Sequence, residues 1–226
     1  MVEPGQPLIK EEGILPSPQT GEVLVKIAGC GVCHTDIGFH TEGGVRTNMA
    51  PPLALGHEIS GTVETCVENT QGWAGKDVVI PAVLPCGECD LCQAGKETAC
   101  RRQKMPGNDF HGGFASHIVV PARWLVDASG LPENLPLEDV SVLADAISTP
   151  YQACIRAEVG EGSHVVVIGA GGVGSFGIQI AAAMGATVIG VDIDDAKLDR
   201  ARRYGATATV NTKSLDAKEA RKAVQT

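Results

Sequence analysis

Aromatic residues make up only 4% of this 226-residue chain, and no apolar run is long enough to span a membrane. The longest apolar region, SFGIQIAAAMGATVIGV (175–191), is interrupted by Gly177, Gln179, Gly185 and Gly190 and divides into a helix followed by a strand. A spanning helix is therefore excluded. Clustered positive charge is missing as well. The chain carries 18 Lys and Arg against 27 Asp and Glu, a net charge of −9, and its nearest basic group is Arg101, Arg102 and Lys104. That balance excludes a nucleic-acid backbone binder, which needs concentrated Lys and Arg. The opening MVEPGQPLIKEEG has neither an apolar run nor a basic lead, so no export signal is visible and a cytoplasmic location is expected. Thiols stay reduced there, and clustered cysteines then read as metal ligands rather than disulfides.

Glycine (28) and proline (13) are plentiful, which favours turns and short strands. GEVLVKIAG alternates Val23, Val25 and Ile27 with other residues, as a half-buried strand does. GTVETCVE, KDVVIPAV and ASHIVVPA repeat that pattern between turn residues, predicting an antiparallel, barrel-like β domain over residues 1–147. From residue 148 the period changes. HVVVIGAGGVG is a buried strand entering a glycine loop, IQIAAAMG a helix, TVIGVD a strand, DDAKLDRARRYG a capped helix, ATATVN a third strand and SLDAKEARKAV another helix. This βαβαβ order predicts a parallel sheet over 148–226. One half of a doubly wound sheet has been built by Thr226, so a truncated Rossmann domain is expected.

Four of the eight cysteines, Cys86, Cys89, Cys92 and Cys100, are spaced C-x2-C-x2-C-x7-C in PCGECDLCQAGKETAC. Two-residue gaps aim successive sulfurs at one centre, and four thiolates satisfy zinc with no open position, which makes a structural site. An iron–sulfur cluster is the alternative occupant. A second set is scattered. Cys33 in GCGVCHTD, His57 and Glu58 in LGHEISG, and Asp145 in LADAISTPYQA are zinc-ligand types, though a His beside a Glu also suits an ordinary surface pair. VVVIGAGGVG places Gly169, Gly171 and Gly174 as G-x-G-x-x-G between a strand and a helix, with Asp192 ending the next strand. In that setting the glycines let a pyrophosphate approach the helix N-terminus, and Asp192 favours the NAD ribose over a 2′-phosphate. The alternative is a glycine-rich turn that serves packing alone.

In this order, GCGVCHTD, GHEISG, the four-cysteine lobe, GAGGVG and a strand-end Asp resemble the zinc-containing medium-chain alcohol dehydrogenases. The resemblance implies a GroES-like catalytic domain followed by a Rossmann domain, with NAD and two zinc ions per chain. It further implies that Cys33 and His57 hold the catalytic zinc, with Asp145 at the third-ligand position and Glu58 at the metal or just behind it. Thr35 then takes the substrate proton, Asp36 orients the zinc histidine, and His34, Gly172, Val173 and Lys197 join the cofactor contacts. Gly38 stands where relatives place a relay histidine, for which His40 is a substitute, and Val67 replaces a usually small residue. GFHTEGGVRTNMAPPLALGHEISG, IPAVLPCGECDLC, QKMPGNDFHGGFASHIVVPAR and ADAISTPYQA resemble more narrowly the 6-hydroxycyclohex-1-ene-1-carbonyl-CoA dehydrogenases. Those enzymes oxidise a ring alcohol during anaerobic degradation of aromatic compounds, implying an alicyclic hydroxyacyl-CoA as small-molecule substrate. Full-length relatives are expected to be homo-oligomers. Another secondary alcohol or polyol is the competing substrate, and an inactive zinc- and NAD-binding fragment the competing role.

Overall fold

Val23 and Val25 share one face of β1 (Glu22–Gly31) and have no solvent exposure, as a side-chain period of two dictates. The computed structural model, which describes residues 1–225, divides the chain into two units, Met1–Asp145 and Ala146 onward. The sequence reading put that division between residues 147 and 148.

In the first unit β1 is followed by α1 (His34–His40), β2 (Glu58–Cys66), β3 (Asp77–Ile80), α2 (Asp90–Gln93), β4 (His117–Pro121) and β5 (Val126–Asp127). All ladders are antiparallel and run β4-β1-β2-β3-β5, so β4 and β5 form the sheet's edges. Register places Val25 opposite Val63 and Ile118, and Ile59 opposite Ile80. Those side chains form one core with Val78 and Val120. Each contributes about 1.5–3 kcal/mol by leaving water. Four strands follow the predicted segments; β5 and the helices of this unit were not foreseen.

A 3₁₀ segment, Leu137–Ala144, lies across this sheet. Ser60 Oγ donates to the Leu137 carbonyl at 2.6 Å, and the Ala82 N–H donates to the Ala144 carbonyl at 3.3 Å. Gly29 permits the approach, since a Cβ there would collide with the Glu138 carbonyl oxygen. Val140 and Ala144 bury against Val79.

The second unit runs α3 (Ser148–Arg156), β6 (His164–Ile168), α4 (Gly172–Ala183), β7 (Thr187–Asp192), α5 (Asp195–Arg203), β8 (Ala208–Asn211) and α6 (Ala217–Gln225). Its three strands are parallel in the order β6-β7-β8, and Ile178, Ala181, Val188 and Ala201 form its core. Helix α4 starts at Gly172 rather than at the predicted Ile178, so the glycine loop itself makes the first turn. Helix α5 starts as predicted: Asp194 Oδ1 accepts from the Ala196 N–H at 2.9 Å and caps the free amides. Among the described residues no helix is long and apolar enough to cross a membrane.

Candidate metal centres and nucleotide loop

Cys33 is the extended residue that precedes α1, with φ −100° and ψ 157°. Asp36, three residues on, accepts the Cys33 N–H through Oδ2 at 3.0 Å. Its other oxygen accepts the Gly56 N–H at 2.9 Å and lies 3.3 Å from Nδ1 of His57. Gly56 has φ +95°, and a Cβ there would press on Cys30 Sγ and the Phe114 ring, so glycine is required immediately before His57. The 3₁₀ segment delivers Asp145 from the opposite side, with Oδ2 at 3.6 Å from His57 Nε2. The donor atoms of Cys33, His57 and Asp145 all lie within 4.8 Å of one another.

His57 is 1% exposed, and neither ring nitrogen makes a well-formed hydrogen bond. A buried imidazole without partners is costly, and a cation between thiolate, imidazole and carboxylate would satisfy it. Ligands about 2.0–2.3 Å from a tetrahedral ion stand roughly 3.3–3.8 Å apart, so the 3.6 Å separation fits zinc. Burial works against a charged His57 ring, but the carboxylates of Asp145 and Asp36, with Cys33, outweigh it and push its pKa up to about 10. Burial likewise opposes ionisation of Asp36, yet His57 and the amides of Cys33 and Gly56 hold its pKa below the usual carboxylate value.

Glu58, expected as a possible ligand, is buried but stands outside the three-donor set. Its Oε2 occupies the space that Gly31 leaves by lacking a Cβ. Asp145, 28% exposed, takes the third position instead. Cys30 is a contrast to Cys33: burial, then the Asp36 charge, push its thiol up to about 12. Thr35 is exposed, with Oγ1 3.7 Å from Cys33 Sγ, and His34 is exposed beside it. Nε2 of His40 lies 2.7 Å from the Gln6 carbonyl oxygen, which ties that ring to the N-terminal segment.

The sulfurs of Cys86, Cys89, Cys92 and Cys100 also gather within 4.8 Å, and all are free thiols. Cys89–Cys92, Cys86–Cys100, Cys89–Cys100 and Cys86–Cys92 are separated by 3.5, 3.6, 3.8 and 3.9 Å. Four sulfurs about 2.3 Å from a central zinc stand about 3.8 Å apart, whereas a disulfide needs about 2.05 Å. The lobe hangs from a two-residue bridge between Leu84 and Lys104 and from Arg123, which donates to the Cys86 carbonyl at 2.6 Å. Neighbouring amides, Glu88 N–H first, lower the Cys86 thiol to about 6, while burial and the adjacent thiols raise Cys92 to about 12. A cation at their centre would hold all four as thiolates.

In the second unit Gly169 turns the chain with φ +91°, and Gly171 precedes the first residue of α4. Gly174 packs so closely that a Cβ would collide with the Gly169 carbonyl oxygen. At Gly171 and Gly172 an added Cβ would meet open space, which leaves room for a pyrophosphate. Val173 is exposed beside them. Asp192 is more engaged than expected. Oδ2 accepts the Ala170 N–H at 2.7 Å, and Oδ1 accepts from Ile193 and Asp194 at 2.8 and 3.1 Å. Burial opposes its charge, but those amides, with the charge of Lys197, hold its pKa below the usual value. A carboxylate has about four acceptor positions, so roughly one is left for a ribose hydroxyl. Lys197, half-buried, sits in the first turn of α5.

An antiparallel sheet carrying a buried S/N/O donor set and a sulfur lobe, followed by a parallel half-sheet with a glycine loop, is the fold class of zinc dehydrogenases: a GroES-like unit and a Rossmann-type unit. Residues 19–132 match the family described as "Alcohol dehydrogenase GroES-like domain", and residues 172–225 match "Zinc-binding dehydrogenase". The chain belongs to the zinc-containing medium-chain alcohol dehydrogenase family. It is 38% identical over 215 residues to an alcohol dehydrogenase of Geobacillus stearothermophilus, covering 94% of this chain and 62% of the relative. An NAD-dependent alcohol dehydrogenase of Sulfurisphaera tokodaii is 35% identical over 230 residues, covering 96% of this chain and 64% of the relative. The crystal structure of the Aeropyrum pernix alcohol dehydrogenase superposes with a TM-score of 0.87 at 31% identity, covering 100% of this chain and 67% of that one. The chain thus spans about 62–64% of the length of these curated relatives.

Proposed function

We propose that this protein oxidises a secondary alcohol to a ketone, with zinc and NAD as cofactors. One observation carries the reading: Cys33, His57 and Asp145 converge within 4.8 Å around a buried imidazole whose Nε2 makes no well-formed hydrogen bond. When bound there, zinc supplies Lewis acidity toward the alcohol oxygen, and NAD accepts the hydride. The side chains do the rest. Asp36 fixes the His57 ring through Nδ1 and leaves Nε2 for the metal. Thr35, exposed beside Cys33, takes the hydroxyl proton and passes it outward. Gly169, Gly171, Gly172 and Gly174 make room for the pyrophosphate, with His34, Val173 and Lys197 as further cofactor contacts, and Asp192 holds the ribose. Cys86, Cys89, Cys92 and Cys100 hold a second, structural zinc that orders the lobe.

The substrate we propose is an alicyclic hydroxyacyl-CoA, 6-hydroxycyclohex-1-ene-1-carbonyl-CoA. It is supported by the resemblance of residues 38–61, 80–92, 103–123 and 144–153 to dehydrogenases of that ester. Metal analysis and an NAD-linked assay test both levels. Two zinc ions per chain, one of them lost in Cys33→Ser, is the expected content. One ion in the unaltered chain would remove the catalytic metal. Oxidation of the CoA ester in preference to free cyclic alcohols and polyols is the expected selectivity, and the reverse order would replace the substrate.

A further inference from the structure

A cavity of about 410 Å³ opens in the first unit at the C-terminal end of α1, lined by Phe39, Thr41, Val45, Arg46, Thr47 and Pro51 among others. Its volume is that of a small-molecule site. Arg46 is the one charged side chain in its lining. Among the described residues no ion pair engages Arg46, whereas Lys76, Arg102 and Arg202 are held by Asp127, Glu88 and Asp199. In a chain with nine more acidic than basic residues, a guanidinium left open beside a cavity suits an incoming anion.

The loop that carries Arg46 is held at both ends. Val45 N–H donates to the Gly38 carbonyl at 3.1 Å and Gly44 N–H to Thr41 at 2.9 Å, which fastens the loop to α1. On the far side Asn48 N–H donates to Asn108 Oδ1 at 3.0 Å, its Nδ2 donates to Asp109 Oδ1 at 2.8 Å, and Met49 N–H donates to the Asn108 carbonyl at 2.8 Å. Asn108 and Asp109 of the NDFHGGF stretch thereby hold the backbone just after Arg46. Phe39 in the cavity lining lies six residues along the chain from Cys33 of the donor cluster, about 9 Å along α1.

We propose that Arg46 binds a phosphate ester carried by the alcohol substrate at the end remote from its reacting carbon. The inference rests on the proposed function in placing the reacting carbon at Cys33, His57 and Asp145. A CoA tail and a compact polyol phosphate both present this chemistry.

Calorimetric titration of the zinc-loaded chain with coenzyme A and, separately, with a hexitol phosphate tests the assignment. Arg46→Gln is expected to weaken binding of at least one ligand about tenfold, and Arg46→Lys less. Lys26→Gln, the same charge change on an exposed residue of β1, is expected to leave it unaltered. Dependence on Arg46 for coenzyme A alone assigns the phosphate to a CoA tail, and for the hexitol phosphate alone to a compact substrate. No binding of either ligand, equal affinity in Arg46→Gln, or equal weakening by Lys26→Gln overturns the proposal. Cys33→Ser separates the two readings: a normal zinc content in that variant defeats the metal site, while the Arg46 titrations stand independently.

Discussion

Oδ1 of Asp36 stands 3.3 Å from Nδ1 of His57, and the two side chains are 3% and 1% exposed. The same carboxylate receives the amides of Cys33 and Gly56, so one buried group sets the ring and the backbone on either side of the metal cluster. Asp36→Asn keeps the volume but puts an amide NH2 where an acceptor is required. Loss of such a carboxylate behind a metal histidine typically costs 10–100-fold in metal affinity. Chelator competition should show that drop for one zinc only, with the four-cysteine site unchanged. An unaltered affinity would mean that Asp36 serves packing rather than the metal.

Two glycines of one loop should fail in different ways. Gly174→Ala forces a methyl into the Gly169 carbonyl oxygen, and overpacking of that kind costs about 1–3 kcal/mol. Thermal unfolding should record the loss. Gly171→Ala meets open space, so stability should hold within about 0.5 kcal/mol. Its methyl would instead occupy the approach to the pyrophosphate, and NAD affinity measured by fluorescence should fall about tenfold or more. Unchanged NAD affinity in Gly171→Ala would count against the loop as a nucleotide cradle.

The β1, β2, β3 and β4 segments were legible because buried valines and isoleucines recur every second residue between glycines and prolines. The glycine loop was legible because strand, glycines and capped helix sit in unbroken succession. The 3₁₀ segment at Leu137–Ala144 was not, since its position comes from Gly29, Ser60 and Ala82, which are distant in sequence. Asp145 at its end was a candidate by residue type, and its place as third ligand came through family resemblance. Glu58 was equally plausible as a ligand by type, and only the space at Gly31 shows where its carboxylate goes. The tie between Asp192 and the Ala170 amide was hidden for the same reason, because a backbone N–H leaves no trace in residue identity.

Asp192 gives the protein a share of its acid sensitivity. Its pKa in the folded chain lies below the ordinary 3.8. The stabilisation is therefore fully present above the unfolded value of about 3.9 and is lost as pH falls through the folded value. Asp192→Asn has no such titration and turns an NH2 toward backbone donors, a mismatch worth about 1–3 kcal/mol at neutral pH. Denaturant unfolding of both proteins should show a gap at pH 7 that narrows as pH drops below about 4. A gap independent of pH would show that the carboxylate's charge contributes nothing. Removing the charge should also improve the relative binding of NADP, since the repulsion of a 2′-phosphate is gone.

Gly29 tests whether the 3₁₀ segment positions Asp145. A methyl at this residue of β1 collides with the Glu138 carbonyl oxygen, so Gly29→Ala must lift the start of the segment from the sheet. The Ser60 bond to Leu137 is the nearest restraint to yield, and Asp145 at the other end moves with the segment. Cys33, His57 and Asp36 are held by α1 and the Gly56 turn, so they should keep their places. The expected result is selective: weaker zinc at the mixed site, intact zinc at the four cysteines, and a stability loss of about 1–3 kcal/mol. Asp145→Asn in the same background separates delivery from ligation. Where Gly29→Ala has already withdrawn the carboxylate, the second change should lower zinc affinity by less than it does in the unaltered chain. Full additivity of the two would show that Asp145 reaches the cluster without help from the segment.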